Sequence, residues 1–224
     1  VDPEDDMRVT NPASNPELLD ALAQDFIASG FDMKRILRTI ATSRVYQLSS
    51  TPTEQNAQDR QNYARFYARR LVAEVLHDSI DSACGAKTTF GNMPAGARAV
   101  DLPHEGFGSY FLDTFGRPHR VSGCECERPS GANLPQVLLL ANSDEIENKI
   151  ATSKGRIEKL IEAKTGPTEA VSELYLAALA RRPTPEEAAR AVNYVTAATE
   201  DKRRAALEDV LWTLLNSKEF VFNH

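Results

Sequence analysis

Apolar side chains recur along most of this chain at intervals of three and four residues, the spacing that gathers them on one face of an α-helix. Leu19, Leu22, Ala23, Phe26 and Ile27 form the first stripe. Asn15 followed by Pro16 supplies an N-cap and a first-turn proline for it, and Gly30 stops it. Asp32 opens a second helix whose stripe is Met33, Ile36, Leu37 and Ile40, so the one-residue joint at Phe31 predicts a tight corner. Ser49 to Gln61 is polar and reads as a loop. From Tyr63 to Cys84 the pattern predicts a third helix, with Val72, Leu76, Ile80 and Ala83 in one row and Gly85 as its stop.

Between Gly85 and about Gly131 no helical or strand period survives. Phe90, Phe107, Tyr110, Phe111 and Phe115 nevertheless lie within it, and such large groups are costly to leave in water, so the segment is expected to fold onto the helices. Long irregular segments in compact domains tend to carry function, which makes this the place to look for a site.

Leu134 to Ala141 is almost wholly apolar and predicts a buried helix. Asn142 and Ser143 then cap a polar one running to Ile150. Arg156 to Ala163 continues its charged face until Thr165-Gly166-Pro167 breaks it, a candidate subdomain boundary. Ala170, Val171, Leu174, Tyr175, Ala178 and Leu179 make another stripe, ending before Pro183. Thr184-Pro185-Glu186-Glu187 combines an N-cap, a first-turn proline and two first-turn acids. Arg204 to Asn216 closes the series, and the last two helices should pack as an antiparallel pair on the one before them. The expected fold is mainly α: a multi-helix bundle with a long irregular, aromatic-rich central segment, forming one helical domain over residues 1–224.

Composition narrows the function. With 42% hydrophobic residues over 224 positions the chain can bury a core without cross-links. A formal net charge of -6 argues against a sequence-independent grip on nucleic acid. No apolar run approaches the roughly 18 residues of a membrane-spanning helix. The sequence holds no Cys-x-x-Cys-His for covalent haem, no Gly-x-Ser-x-Gly elbow, no nucleotide-binding glycine fingerprint and no His-Glu-x-x-His helix.

Several strings form a recognisable set: Asp5-Asp6-Met7-Arg8, Ser14-Asn15-Pro16-Glu17-Leu18-Leu19-Asp20, Phe115-Gly116-Arg117-Pro118, Cys124-Glu125-Cys126-Glu127-Arg128 and Leu214-Leu215-Asn216-Ser217-Lys218-Glu219-Phe220. Together they resemble the C-terminal part of the planctomycete-type domain of unknown function that accompanies cytochrome-c-like domains in large envelope proteins. The resemblance implies an exported, periplasmic or cell-surface protein whose partners are the other domains of its parent, of cytochrome type or concerned with polysaccharides. It implies haem only in those other domains and carries no established activity.

The candidate chemistry centres on Cys124 and Cys126. Thiols one residue apart can close a strained disulfide, bind a metal, or stay unbonded. With His119 and one further ligand they could hold zinc. Arg117, Arg120 and Arg128 surround them and would favour the thiolate, while Glu125 and Glu127 can pair with the same arginines and staple the loop to the helices. Asp101, His104 and Glu105 offer carboxylates beside an imidazole, more simply read as a locally hydrogen-bonded turn. His77 reads as a surface or satisfied histidine. The leading expectation is a non-enzymatic interaction or scaffold module with Phe115, Arg117, Arg120, Glu127 and Arg128 at its interface. The alternatives are a thiol-disulfide or metal-dependent redox role at the Cys-x-Cys turn, and binding of acidic glycans by the arginines around it.

Overall fold

The computed structural model describes residues 8–59, 62–118 and 133–223, and its architecture is mainly α. The chain divides into two compact units that meet in sequence at residues 69 and 70.

In the first unit, α1 (Pro16–Ala28) starts where Asn15 accepts the Leu18 N–H, and α2 (Met33–Ala41) where Asp32 accepts the Arg35 N–H, each at 3.0 Å. Both predicted caps therefore form. The corner between the helices uses two successive left-handed residues, Gly30 (φ 70°) and Phe31 (φ 63°). Glycine adopts this conformation without strain and a bulky residue does not, so Phe31 needs holding. Its N–H donates to Phe26 O at 2.9 Å and its ring meets Phe26 edge-to-face, with centroids 5.4 Å apart. Arg35 adds an ion pair to Asp25 at 2.7 Å. No described residue of this unit is fully buried.

The second unit holds the core. Starting from β1 (Arg69–Arg70), which spans the division, its order is α3 (Ala73–Cys84), a 3-10 turn (Ala99–Asp101), α4 (Tyr110–Thr114), α5 (Leu134–Asn142), α6 (Asp144–Ile150), α7 (Arg156–Glu162), α8 (Pro167–Leu179), α9 (Pro185–Ala197), α10 (Arg203–Leu215), α11 (Lys218–Val221) and β2 (Phe222–Asn223). α8 packs against α3, α9 and α10, and Leu76, Ile80, Val171, Leu174, Leu207 and Leu211 between them are almost inaccessible. β1 and β2 pair as a two-stranded ribbon, next to which Leu71 N donates to Val221 O at 2.9 Å.

Three expectations change. The predicted helix from Tyr63 begins only at Ala73, because Val72 sits in an extended N-cap position and the two preceding arginines belong to β1. Within the supposedly aperiodic segment, Ser109 caps the short helix α4 by accepting from Leu112 N at 3.2 Å. α5 is not buried on all sides: Gln136, Leu139 and Leu140 face inward, whereas Leu134, Val137 and Leu138 are half or more exposed. The aromatic segment does lie on the helices, with Phe90, Phe111 and Phe115 in the core. Gly166 caps α8 inside the second unit.

Candidate functional site

The most concentrated buried chemistry among the described residues lies between α3 and α6. On α3, His77, Ile80 and Cys84 share the core face, with Asp81 beside it; on α6, Lys149 falls between Ile146 and Ile150 in the buried stripe. That register carries the Lys149 ammonium into the core, where the residue is only 9% exposed. Its Nζ donates to Asp81 Oδ1 at 2.5 Å and to Thr88 Oγ1 at 2.6 Å, lies 3.0 Å from His77 Nε2, and is 3.7 Å from Glu145. Thr88 N closes the ring by donating to the second Asp81 oxygen at 3.0 Å.

The protonation pattern follows. An ammonium only donates, so His77 Nε2 must accept and its proton resides on Nδ1. Burial pushes the His77 pKa down and the neighbouring Lys149 charge pushes the same way, so the imidazole is neutral. Its ring is held between Phe90 and Phe111, with centroids 5.4 and 5.5 Å away. His77 Nδ1 has no hydrogen-bond partner, the nearest carboxylate oxygen being Asp78 Oδ1 at 3.6 Å. Asp78 itself caps the 3-10 turn, accepting from Ala99 N at 2.7 Å and Val100 N at 3.2 Å. Burial alone would raise Asp81, but its hydrogen bond to Lys149 and that cation's charge hold it below the ordinary carboxylate range. Nearby Cys84 is sealed, and burial pushes its thiol up to about 12, which leaves it protonated and unreactive.

This constellation reads as a cross-brace. Lys149 is saturated by three acceptors, and Thr88, the hydroxyl nearest the imidazole, already receives one of its protons. Grooves among the described residues open at Gly85 and Arg156, at Asp78 and Arg98, and between α9 and α10, and none of these three is lined by Lys149, Asp81, His77 or Thr88. Sequence reasoning missed the cluster. A lysine in phase with Ile146 and Ile150 was the available signal. His77, read as a surface or satisfied histidine, is 1% exposed.

Of the residues singled out in the sequence, Cys124, Cys126, His119, Arg120, Glu127 and Arg128 lie outside the described residues. Phe115 and Arg117 are both inside the second unit, at 3% and 8% exposure. Phe115 stacks on Phe111 with centroids 4.6 Å apart. Arg117 donates to Phe107 O at 2.8 Å and to Asp113 at 2.6 Å, fixing the two ends of the α4 segment to each other. Arg70 lies over the Phe115 ring and bonds Gln136, which in turn donates to Thr114 O at 3.0 Å. Asp101 pairs with Arg98, while His104 accepts from Gly106 N at 3.1 Å and stacks on Phe107, the local turn expected there. Among the described residues no group of three or more His, Cys, Asp or Glu side chains is placed to hold a metal ion, and no helix is long and apolar enough to cross a membrane.

A family model described as "Protein of unknown function (DUF1553)" matches residues 1–195. No curated protein and no solved structure matches the chain.

Proposed function

We propose, for a chain that belongs to the DUF1553 family of proteins of unknown function, a non-enzymatic role as a helical interaction module that docks within a larger multidomain protein of the cell envelope. One observation carries this reading: chemistry is turned inward and oil outward. Lys149 and His77 are buried between α3 and α6, and Lys149 bonds Asp81 and Thr88 there, whereas Leu134, Val137 and Leu138 of α5 stand 69%, 60% and 50% exposed, with Tyr110 of α4 at 74%. Positions i, i+3 and i+4 of one helix make a stripe, and an exposed apolar stripe gains free energy when a partner covers it.

The partner, on this reading, is another domain of the parent protein. Haem or polysaccharide-handling chemistry belongs to such neighbours, the chain carries no cofactor of its own, and export to the periplasm or cell surface accompanies the arrangement. Support for these finer points comes from the sequence resemblance.

The test combines assay and titration. The purified chain is incubated with polysaccharides, sulfated sugars and dithiol substrates, and separately titrated by calorimetry with the neighbouring domains of its parent. Saturable association without turnover, weakened by Leu138→Asp on the exposed stripe, is the expected result. Turnover that disappears in Lys149→Met, with the helical signal retained, overturns the reading.

A further inference from the structure

A groove of ≈ 500 Å³ runs between α9 and α10 over a floor that includes Tyr175 of α8. Two aromatic rings flank it, and each is held by a hydrogen bond at its polar end. Tyr194 donates its hydroxyl to Asp209 Oδ2 at 2.5 Å, and Trp212 donates its indole N–H to Ala141 O at 3.1 Å. With their polar ends fixed, Tyr194 and Trp212 remain 52% and 38% exposed as whole residues.

The charges along the groove are unequally committed. Glu187 receives two bonds from Arg181, at 2.8 and 2.9 Å, and Arg181 is also gripped by Glu219, so that arginine and its acids are already spent on one another. Asp209 accepts from the neutral Tyr194 hydroxyl and keeps its negative charge and spare lone pairs, so it suits the hydroxyls of a ligand and not its acid group. Arg190, exposed and one helical turn before Tyr194, makes no hydrogen bond or ion pair among the described residues. The groove therefore combines aromatic faces, hydroxyl and carboxylate groups that can bond ligand hydroxyls, and an uncommitted guanidinium.

We infer that the groove between α9 and α10 binds an acidic sugar, with a pyranose ring resting on Trp212 and Tyr194 and its carboxylate or sulfate on Arg190. A pyranose presents a patch of C–H groups on one face and hydroxyls around its rim, which matches rings bordered by the acceptor oxygens of Asp209 and of Thr213, whose own proton goes to Asp209 O at 2.8 Å. A simple carboxylate lacks the C–H face, and a neutral sugar leaves the guanidinium unused. Planar, two-pronged recognition of carboxylate or sulfate is what arginine does better than lysine. A single exposed pair in a chain of net charge -6 predicts weak affinity, on the order of 0.1–1 mM.

This inference rests on the chain being a binding module rather than an enzyme. Trp212 is the one tryptophan in the sequence, so its fluorescence reports on the groove alone. The full chain is titrated with trigalacturonate, and in parallel with neutral maltotriose, sodium acetate and hexaglutamate. The expected result is a saturable shift of emission with trigalacturonate, about tenfold weaker in Arg190→Ala and partly restored in Arg190→Lys. No shift at concentrations of about 10 mM overturns the inference while leaving the module reading intact. Equal binding of maltotriose or hexaglutamate, or indifference to Arg190→Ala in a variant of unchanged helicity, also overturns it. Cleavage of trigalacturonate would instead sink the module reading and keep the groove.

Discussion

At the scale of single residues, Lys149 explains more than any other side chain. Replacing it with methionine keeps most of the volume but leaves the Asp81 carboxylate in the core without its cation, a change that costs about 3–5 kcal/mol when one partner of a buried pair is removed. Urea unfolding of Lys149→Met should show that loss, and Lys149→Met combined with Asp81→Asn should recover most of it, because a neutral amide tolerates the site far better. The same cluster sets a pH dependence. His77 is held below its ordinary value of 6.5, so as pH drops through that value the unfolded chain takes up a proton that the folded chain refuses. Stability therefore declines below about pH 6.5, and the contribution of Asp81, whose folded value lies below 3.8, is lost only under stronger acid. The urea midpoint followed from pH 8 to pH 5 should fall in the parent protein and stay flatter in His77→Phe.

The elements show where sequence pattern sufficed and where it did not. Caps were legible because they are local: Asn15, Asp32, Ser143 and Thr184 each bond the N–H three residues on, and Thr184 with Glu187 forms a reciprocal capping box. The start of α3 was not legible, since the pairing that takes Arg70 out of the helical pattern involves residues about 150 positions later in the chain. α5 was misread because an apolar run does not say which of its faces a partner covers. The buried cluster escaped for a related reason: Lys149, Asp81 and His77 are of types that usually face water, and only the contact of α3 with α6 brings them together. The Cys-x-Cys turn, the best site guess from sequence, falls outside the described residues. At Gly85 local signal and tertiary packing coincide. It ends α3 with φ 68°, and a Cβ there would sit 3.0 Å from Arg156 N. Gly85→Ala should thus cost about 1–3 kcal/mol through left-handed strain and the displaced start of α7, read as a lower thermal midpoint.

Across the whole molecule, burial is shared unevenly. The helices of the first unit contribute no fully buried residue, while α3, α8 and α10 supply most of the inaccessible core of the second. Local stability follows buried apolar contact, so amides of α1 and α2 should exchange with deuterium well before those of α3, α8 and α10. Uniform protection across both units, measured by mass spectrometry of peptides, would contradict that ranking. The fold class was legible at this scale because helical periodicity is repeated in most of the segments that form the core, α3, α8 and α10 above all. The division at residues 69 and 70 was not, because Arg69 and Arg70 carry no turn signal or shift in composition.

The ribbon of β1 and β2 has one more effect. By zipping its first strand to its last, the second unit brings its entry and exit side by side, like the two wires of a plug. The first and last described residues of the unit, 70 and 223, thus lie on one edge of it. The unit can therefore be spliced into a longer polypeptide as a side branch, without forcing the flanking parts apart.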